Sequence, residues 1–201
     1  MTAEAAAGAP AGHGVAAGSK AGRKAFGGIA PKGHRIRMME PGEAEALLSL
    51  RRAGHADADA RLSRPAETAS PSLCDFVEYL VTREIFVCEE KKSGAIAAYA
   101  AASALFELYL VEEIVVGPDH AGSGADAALI RAVTRRARWF HHRAVAVLAW
   151  LDSPSESAFY DENAFMKVSR KHLSPNLQAE LETRAGRFGA TGQPGLRLRW
   201  L

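Results

Sequence analysis

The sequence is poor in several things, and each shortage removes a class of protein. Only two cysteines, Cys74 and Cys88, occur in 201 residues. They are too few for a disulfide framework and lack CxxC spacing, so both are expected as reduced thiols. No apolar run approaches the ~20 residues a membrane span needs. Basic and acidic side chains, 25 against 23, leave a formal net charge of only +2. That balance gives no broad basic surface for a nucleic acid. The opening stretch MTAEAAAGAPAGHGVAAGSKAGRKAFGG lacks the basic start and solid apolar core of a secretory signal. Its early Glu4 and sparse basic residues speak against an organelle transit peptide. The expectation is a cytoplasmic protein that engages neither membrane nor nucleic acid.

What is present is enough hydrophobic material, 48% of residues, to bury a core. It is unevenly spread. Residues 1–33 are mostly alanine and glycine, with too little apolar surface to offset their ordering entropy, and read as a flexible tail. Residues 34–201 read as one domain.

Within that domain the periodicity alternates between strand and helix. HRIRMME is a short strand, and Ala44, Leu47, Leu48 and Leu50 have near-helical spacing. Residues 55–70, polar, alanine-rich and interrupted by proline, read as a loop. Pro71 opens a helix whose face is Leu73, Phe76, Val77 and Leu80. IFVCEEKKSGAIAAYAAAS forms a hairpin around a charged turn, and LFELYLVEEIVV adds a strand. A helix from Ser123 to about His141 turns Leu129, Ile130, Val133, Ala137 and Phe140 inward. RAVAVLAWL reads as a strand covered on both faces. A short helix carrying Phe159 and Tyr160 follows, capped by Ser153 and Pro154. NLQAELETRAG is a further helix, and LRLRWL reads as an alternating edge strand that two subunits could pair through. The order β-α-α-β-β-β-α-β-α-β-(α)-β implies an α/β (α+β) domain with a mixed sheet flanked by helices.

The stretch VVGPDHAGSGADAAL, Val115–Leu129, carries the most chemical information. Strand, glycine loop and helix N-terminus in succession aim free N–H groups and the positive end of a helix dipole at one point, where phosphates bind. No Gly-Lys-Ser/Thr follows, as a nucleoside triphosphate loop requires, and the spacing is not GxGxxG. A nucleotide-binding module using this loop would also lack a lysine and a Mg²⁺ ligand set. His120, His141 and His142 have no further ligands at metal spacing, and no metal site is expected.

In its context this stretch resembles the cofactor motif of the GNAT superfamily of acetyl-CoA-dependent N-acetyltransferases: strand, Val-x-Pro, then Arg/Gln-x-x-Gly-x-Gly/Ala, then helix. FVCEEKKSGAIAAYAAAS is similar to that family's second and third strands, LYLVEEIVVGP to its fourth, and FYDENAF to its Phe/Leu-Tyr-x-x-x-Gly-Phe. The resemblance spans residues 34–173 and implies a single GNAT-like domain with about 6–7 mostly antiparallel strands. It implies that acetyl-CoA is a co-substrate. Ile114, Val115 and Val116 would pair with its pantetheine arm. The N–H groups of Ala121, Gly122, Ser123, Gly124, Ala125 and Asp126 would cradle its pyrophosphate, beside Ser153. Tyr160 would protonate the departing thiolate, and Glu112 or Glu113 would take a proton from the amine. Strand alternation sends the two glutamates to opposite faces, so only one is expected in the cleft; which one stays open, since this strand can be bulged in the family. The acceptor is an amine, on a small molecule or a protein.

Departures from the motif define a second reading. Ala121 replaces Arg/Gln, Ser153 an asparagine, and Ala164 the glycine before Phe165. Asp126 holds the final Gly/Ala position, beside the pyrophosphate. Like charges ~4 Å apart repel by ~1 kcal/mol in water and ~4 kcal/mol near a protein surface. The alternative is a GNAT-fold binding or regulatory module with impaired acetyl-CoA binding.

Overall fold

The computed structural model describes residues 28–62, 70–149, 154–186 and 195–201. Residues 1–27 of the expected tail lie outside the described residues, as does Ser153. Seven strands form one sheet: β1 (His34–Met38), β2 (Glu84–Glu90), β3 (Ile96–Leu105), β4 (Leu108–Val116), β5 (Ala144–Ala149), β6 (Met166–Val168) and β7 (Gly195–Trp200). Their spatial order is β1-β2-β3-β4-β5-β7-β6. All neighbours are antiparallel except β4 and β5. Among the described residues, five α-helices flank the sheet: α1 (Ala44–Leu62), α2 (Leu73–Val81), α3 (Ala125–Trp139), α4 (Pro154–Glu162) and α5 (Pro175–Gly186).

The centre of the sheet is rich in alanine. Residues 97 to 102 of β3 are fully buried and all are alanine except Tyr99. Small side chains let helices approach both faces closely. On one face Ala98, Ala100 and Ala102 meet Ala125, Ala128 and Ala132 of α3, together with Tyr160 and Phe165 from α4 and the turn after it. On the other, Leu47 and Leu48 of α1 and Phe76 and Leu80 of α2 cover Val87, Tyr99, Ala101 and Val115. Further along that face, Leu181 of α5 packs on Leu110, Ala146, Leu196 and Leu198. Ile29 and Ala30, within the span read as a tail, rest against the α3-side core.

Several local expectations change. The segment 55–70 is not loop at its start, because α1 runs on to Leu62. Alanine-rich sequence sustains the helix, and Gly54 within it has a packing role described below. α2 begins at Leu73 with Ser72 as its cap; Ser72 and Asp75 exchange side-chain-to-backbone hydrogen bonds in a capping box, so Pro71 precedes the helix rather than opening it. Of the four residues assigned to the inner face of α2, Phe76 and Leu80 are buried but Leu73 and Val77 are exposed. Phe140 is exposed too, because α3 ends at Trp139. LRLRWL is not an edge strand: β7 is flanked by β5 and β6.

One topological feature positions the site. β4 and β5 pair only from Leu108↔Ala144 to Val111↔Val147, while β5 stays paired with β7 along its whole length. Beyond Val111, the edge of β4 is therefore open towards β5.

Candidate active site

The open edge is made of backbone. Gly117 donates to the Ala97 carbonyl at 2.9 Å, so its amide points towards β3. Alternation along an antiparallel pair then turns the amides of Val115 and Glu113 to β3, and those of Ile114 and Val116 to the opening. Of the three expected pantetheine partners, two thus present backbone groups and Val115 does not. The Val115 side chain is buried under α1 and α2.

Past Gly117 the chain makes a single 3-10 turn, Pro118–His120, and enters the glycine loop. Gly122 and Gly124 both have positive φ, 74° and 77°, which L side chains rarely adopt, and a Cβ at either would meet open space. Ala121 donates to the Pro118 carbonyl and Ser123 to the His120 carbonyl, so these two amides are engaged within the turn. Ala125 reaches the Ser123 hydroxyl oxygen at 3.3 Å. The N–H groups of Gly122, Gly124 and Asp126 have no partner among the described residues. They are the donors this loop offers an anion, at the positive end of the α3 dipole.

Asp126 bears directly on that offer. Its Oδ1 accepts a hydrogen bond from the Ala127 N–H at 2.7 Å, so the carboxylate folds back onto the first turn of α3. It occupies one helix-end donor and brings negative charge to the mouth.

Tyr160 lies inside the α3-side core, 7% exposed, with Phe159 and Phe165 edge-on at 5.2 and 5.6 Å. Burial, then the charges of Glu156 and Asp126, push its phenol well above the ordinary range against the pull of Arg197. The phenol is a proton donor throughout the neutral range. α4 ends at Glu162, and in the turn that follows, Ala164 with a φ of 62° lets the Phe165 N–H reach the Tyr160 carbonyl at 2.9 Å. Left-handed backbone favours glycine, and here alanine adopts it. Arg197 of β7, completely buried, was hidden in the alternation of LRLRWL. It donates to Asp161 at 2.5 Å and to the Ser157 hydroxyl at 2.9 Å, with its guanidinium carbon 5.9 Å from the Tyr160 ring centre. It ties α4 to the sheet.

The two glutamates of β4 are not on opposite faces. Ala101 pairs with Glu113 and Ala102 with Val111, so Glu112 is the extra residue of a bulge. The bulge resets the alternation, and both carboxylates lie on the α1, α2 and α5 side. Glu112 is gripped by Arg83 at 2.7 Å, by Ser103 at 2.5 Å and by Arg184, and its side chain is 3% exposed. Glu113 accepts from Arg51 Nε at 2.8 Å, His55 Nε2 at 2.9 Å and the Tyr99 hydroxyl at 2.6 Å. Burial favours its neutral form, but the His55 and Tyr99 hydrogen bonds and the Arg51 charge outweigh this and hold its carboxyl below the usual range.

Arg51 and His55 escaped the sequence reading. Their signal was the spacing Leu47, Arg51, Gly54, His55, which continues the inner face of α1. Gly54 brings that face onto β4: a Cβ there would lie 2.6 Å from Val115 Cγ1 and 2.9 Å from the Val116 carbonyl oxygen. Nearby, the Tyr79 hydroxyl is buried without a hydrogen-bond partner among the described residues, in the field of Glu113 and Glu112. Such a group costs about 1–3 kcal/mol until a polar atom meets it.

The three histidines do not converge. His120 packs edge-on against His34, whereas His142 stacks on Tyr109 at the opposite end of the parallel β4–β5 pair. A hollow of about 500 Å³ lined by Arg138, Asp161, Phe165, Met166, Arg199 and Trp200 contains none of the sequence-predicted site residues.

No protein-family profile and no curated protein matches the chain. Solved structures do. A GNAT-superfamily phosphinothricin acetyltransferase from Sinorhizobium meliloti, in complex with AcCoA, superposes with a TM-score of 0.62 at 16% identity, over 84% of this chain and 89% of that one. A GNAT-family acetyltransferase from Staphylococcus aureus gives 0.61 at 11% identity, over 84% and 99%. A ribosomal-protein-alanine N-acetyltransferase from Brucella melitensis gives 0.60 at 14% identity, over 83% and 99%. At these identities the likeness is one of architecture. The chain has the GNAT fold.

Proposed function

We propose that the chain is an N-acetyltransferase that binds acetyl-CoA and an amine in one complex and transfers the acetyl group by direct attack. The observation that carries this reading is the unpaired edge of β4 at Ile114 and Val116, which leads straight into three unpartnered loop amides. An extended pantetheine arm would pair with the edge, and its pyrophosphate would take the amides of Gly122, Gly124 and Asp126. Tyr160 would give its proton to the departing thiolate. The amine would enter from the side lined by β4, α1 and α2, as a small molecule or a protein amine. Neither cysteine favours an acyl-enzyme route: Cys74 is exposed on α2, and burial pushes the Cys88 thiol up to about 11. No helix of the described residues is long and apolar enough to cross a membrane, and a cytoplasmic site of action remains part of this proposal.

The second reading, a binding or regulatory module with impaired cofactor affinity, rests on the Asp126–Ala127 hydrogen bond. Calorimetric titration with acetyl-CoA decides between them. On the enzyme reading the unmodified chain binds, and Asp126→Gly tightens binding about tenfold or more by removing the repulsion. Failure of the unmodified chain to bind at millimolar acetyl-CoA, with binding recovered in Asp126→Gly, would establish the second reading.

A further inference from the structure

We infer that the hollow beside the C-terminal end of α3 and the ends of β6 and β7 is a second ligand site, suited to a small phosphate monoester carried on a planar apolar body. It goes beyond the acetyltransferase reading and does not depend on it.

The charge comes from two elements far apart in the chain. Arg131 and Arg138 are seven residues apart on α3 and so share one face of that helix. Arg199 of β7 pairs with Val145 of β5, whose side chain belongs to the α3-side core. Paired residues share a face of the sheet, so the Arg199 side chain emerges on the α3 side. There it meets the other two: the charges acting on Arg199 are those of Arg138 and Arg131, and together with burial they hold it below the ordinary arginine range. Among the described residues no carboxylate pairs with any of the three, and Arg131 donates only to the Ile29 carbonyl, at 3.1 Å. Asp161, the acid among the lining residues, is committed to the buried Arg197 at 2.5 Å. Like charges gathered without a counter-charge repel one another, and a bound anion relieves that repulsion.

The lining sets the kind of anion. Two guanidinium forks, those of Arg138 and Arg199, border a space of about 500 Å³. A single carboxylate has two oxygens and fills one fork. A phosphate monoester presents three oxygens and nearly two charges, and serves both. Buried Phe165 supplies an apolar wall, while Trp200 and Met166 stand 54% and 56% exposed, an indole and a thioether against which a planar ring can lie. A space of this order suits a small molecule, a ring with its phosphate. The glycine loop is a different place: Arg138 lies about 18 Å along the α3 axis from Asp126.

The test titrates the full chain by calorimetry with phenyl phosphate and AMP, and with phenol, benzoate and isophthalate for comparison. Both phosphates should bind with a Kd of about 0.1–1 mM, and phenol and benzoate at least about tenfold more weakly. Arg138→Gln and Arg199→Gln should each weaken phenyl phosphate about tenfold; Arg199→Lys, which keeps the charge but loses the fork, should weaken it less. Trp200→Ala should cost about threefold. A merely structural role for Arg138, as a cation at the end of α3, would move the thermal transition and leave affinity unchanged, and that result overturns the inference. Should Arg199→Gln lose its cooperative transition, Arg199→Lys and Arg138→Gln carry the comparison. Asp126→Gly should leave phenyl phosphate binding as it is. Binding that changes with Asp126→Gly, or that acetyl-CoA displaces, would place the phosphate in the glycine loop and overturn the inference. So would the absence of saturable binding of either phosphate at about 10 mM, or affinity kept within about twofold when both arginines are replaced by glutamine. Tighter binding of isophthalate than of phenyl phosphate would overturn the phosphate assignment.

Discussion

The loop that follows β4 presents backbone amides, whereas the wall formed by α1, α2, α5 and the β4 bulge presents side chains. In the loop, the chemistry comes from amides left over when the chain turns from strand to helix. Almost any side chain could stand at Ala121 without changing those amides; Ser123 engages the Ala125 N–H, and Asp126 intrudes with a charge. In the wall, Glu112 and Glu113 are held by groups as distant in sequence as Arg51 and Arg184. The contrast teaches that the two halves tolerate change differently: the loop through φ angles, the wall through charge pairing.

Removing a wall carboxylate tests that contrast most severely. Glu113→Ala removes the buried carboxylate shared by Arg51, His55 and Tyr99, and should lower the unfolding free energy by about 3–5 kcal/mol in urea titration. Asp126→Gly in the loop should cost no more than about 1–2 kcal/mol, from lost dipole complementarity and glycine entropy. Equal losses would erase the distinction. A pH series refines it. The folded carboxyl of Glu113 is depressed, so its contribution is complete above the ordinary glutamate value of about 4.3 and is lost as pH falls through its lower folded value. The unfolded chain binds more protons over that window, so stability declines with acid, and Glu113→Gln should flatten the decline.

Two glycine exchanges probe fit at smaller magnitude. Gly54→Ala improves helix propensity by about 1 kcal/mol but drives a methyl into Val115 and the Val116 carbonyl, and the net change should be a loss of about 1–2 kcal/mol. A gain would mean that α1 does not press on β4 there. Ala164→Gly is the reverse case. Left-handed backbone strains alanine but not glycine, so a gain of about 0.5–1 kcal/mol in thermal or urea unfolding is expected. No gain would show that the turn after Tyr160 relaxes to accept alanine.

Much of the fold could be read locally. The five helices and seven strands appear in the expected order, because amphipathic period and turn residues are properties of neighbouring side chains. The glycine loop was legible for the same reason: Gly122 and Gly124 signal positive φ wherever the chain places them. The wall on the α1 and α2 side was not. Arg51 and His55 look like solvated helix residues until α1 is known to reach Leu62 and to lie against β4. Arg197 looks like the polar side of an exposed strand until α4 covers it.

By itself, then, the sequence determined the succession of elements, the loop conformation and the presence of a carboxylate at its mouth. Only the tertiary structure decided which way the Asp126 carboxylate turns, which strands flank β7, and on which face Glu112 lies. A bulge of one residue sets that face, and it exists only in the pairing of β4 with β3, whose register joins residues that no local pattern connects.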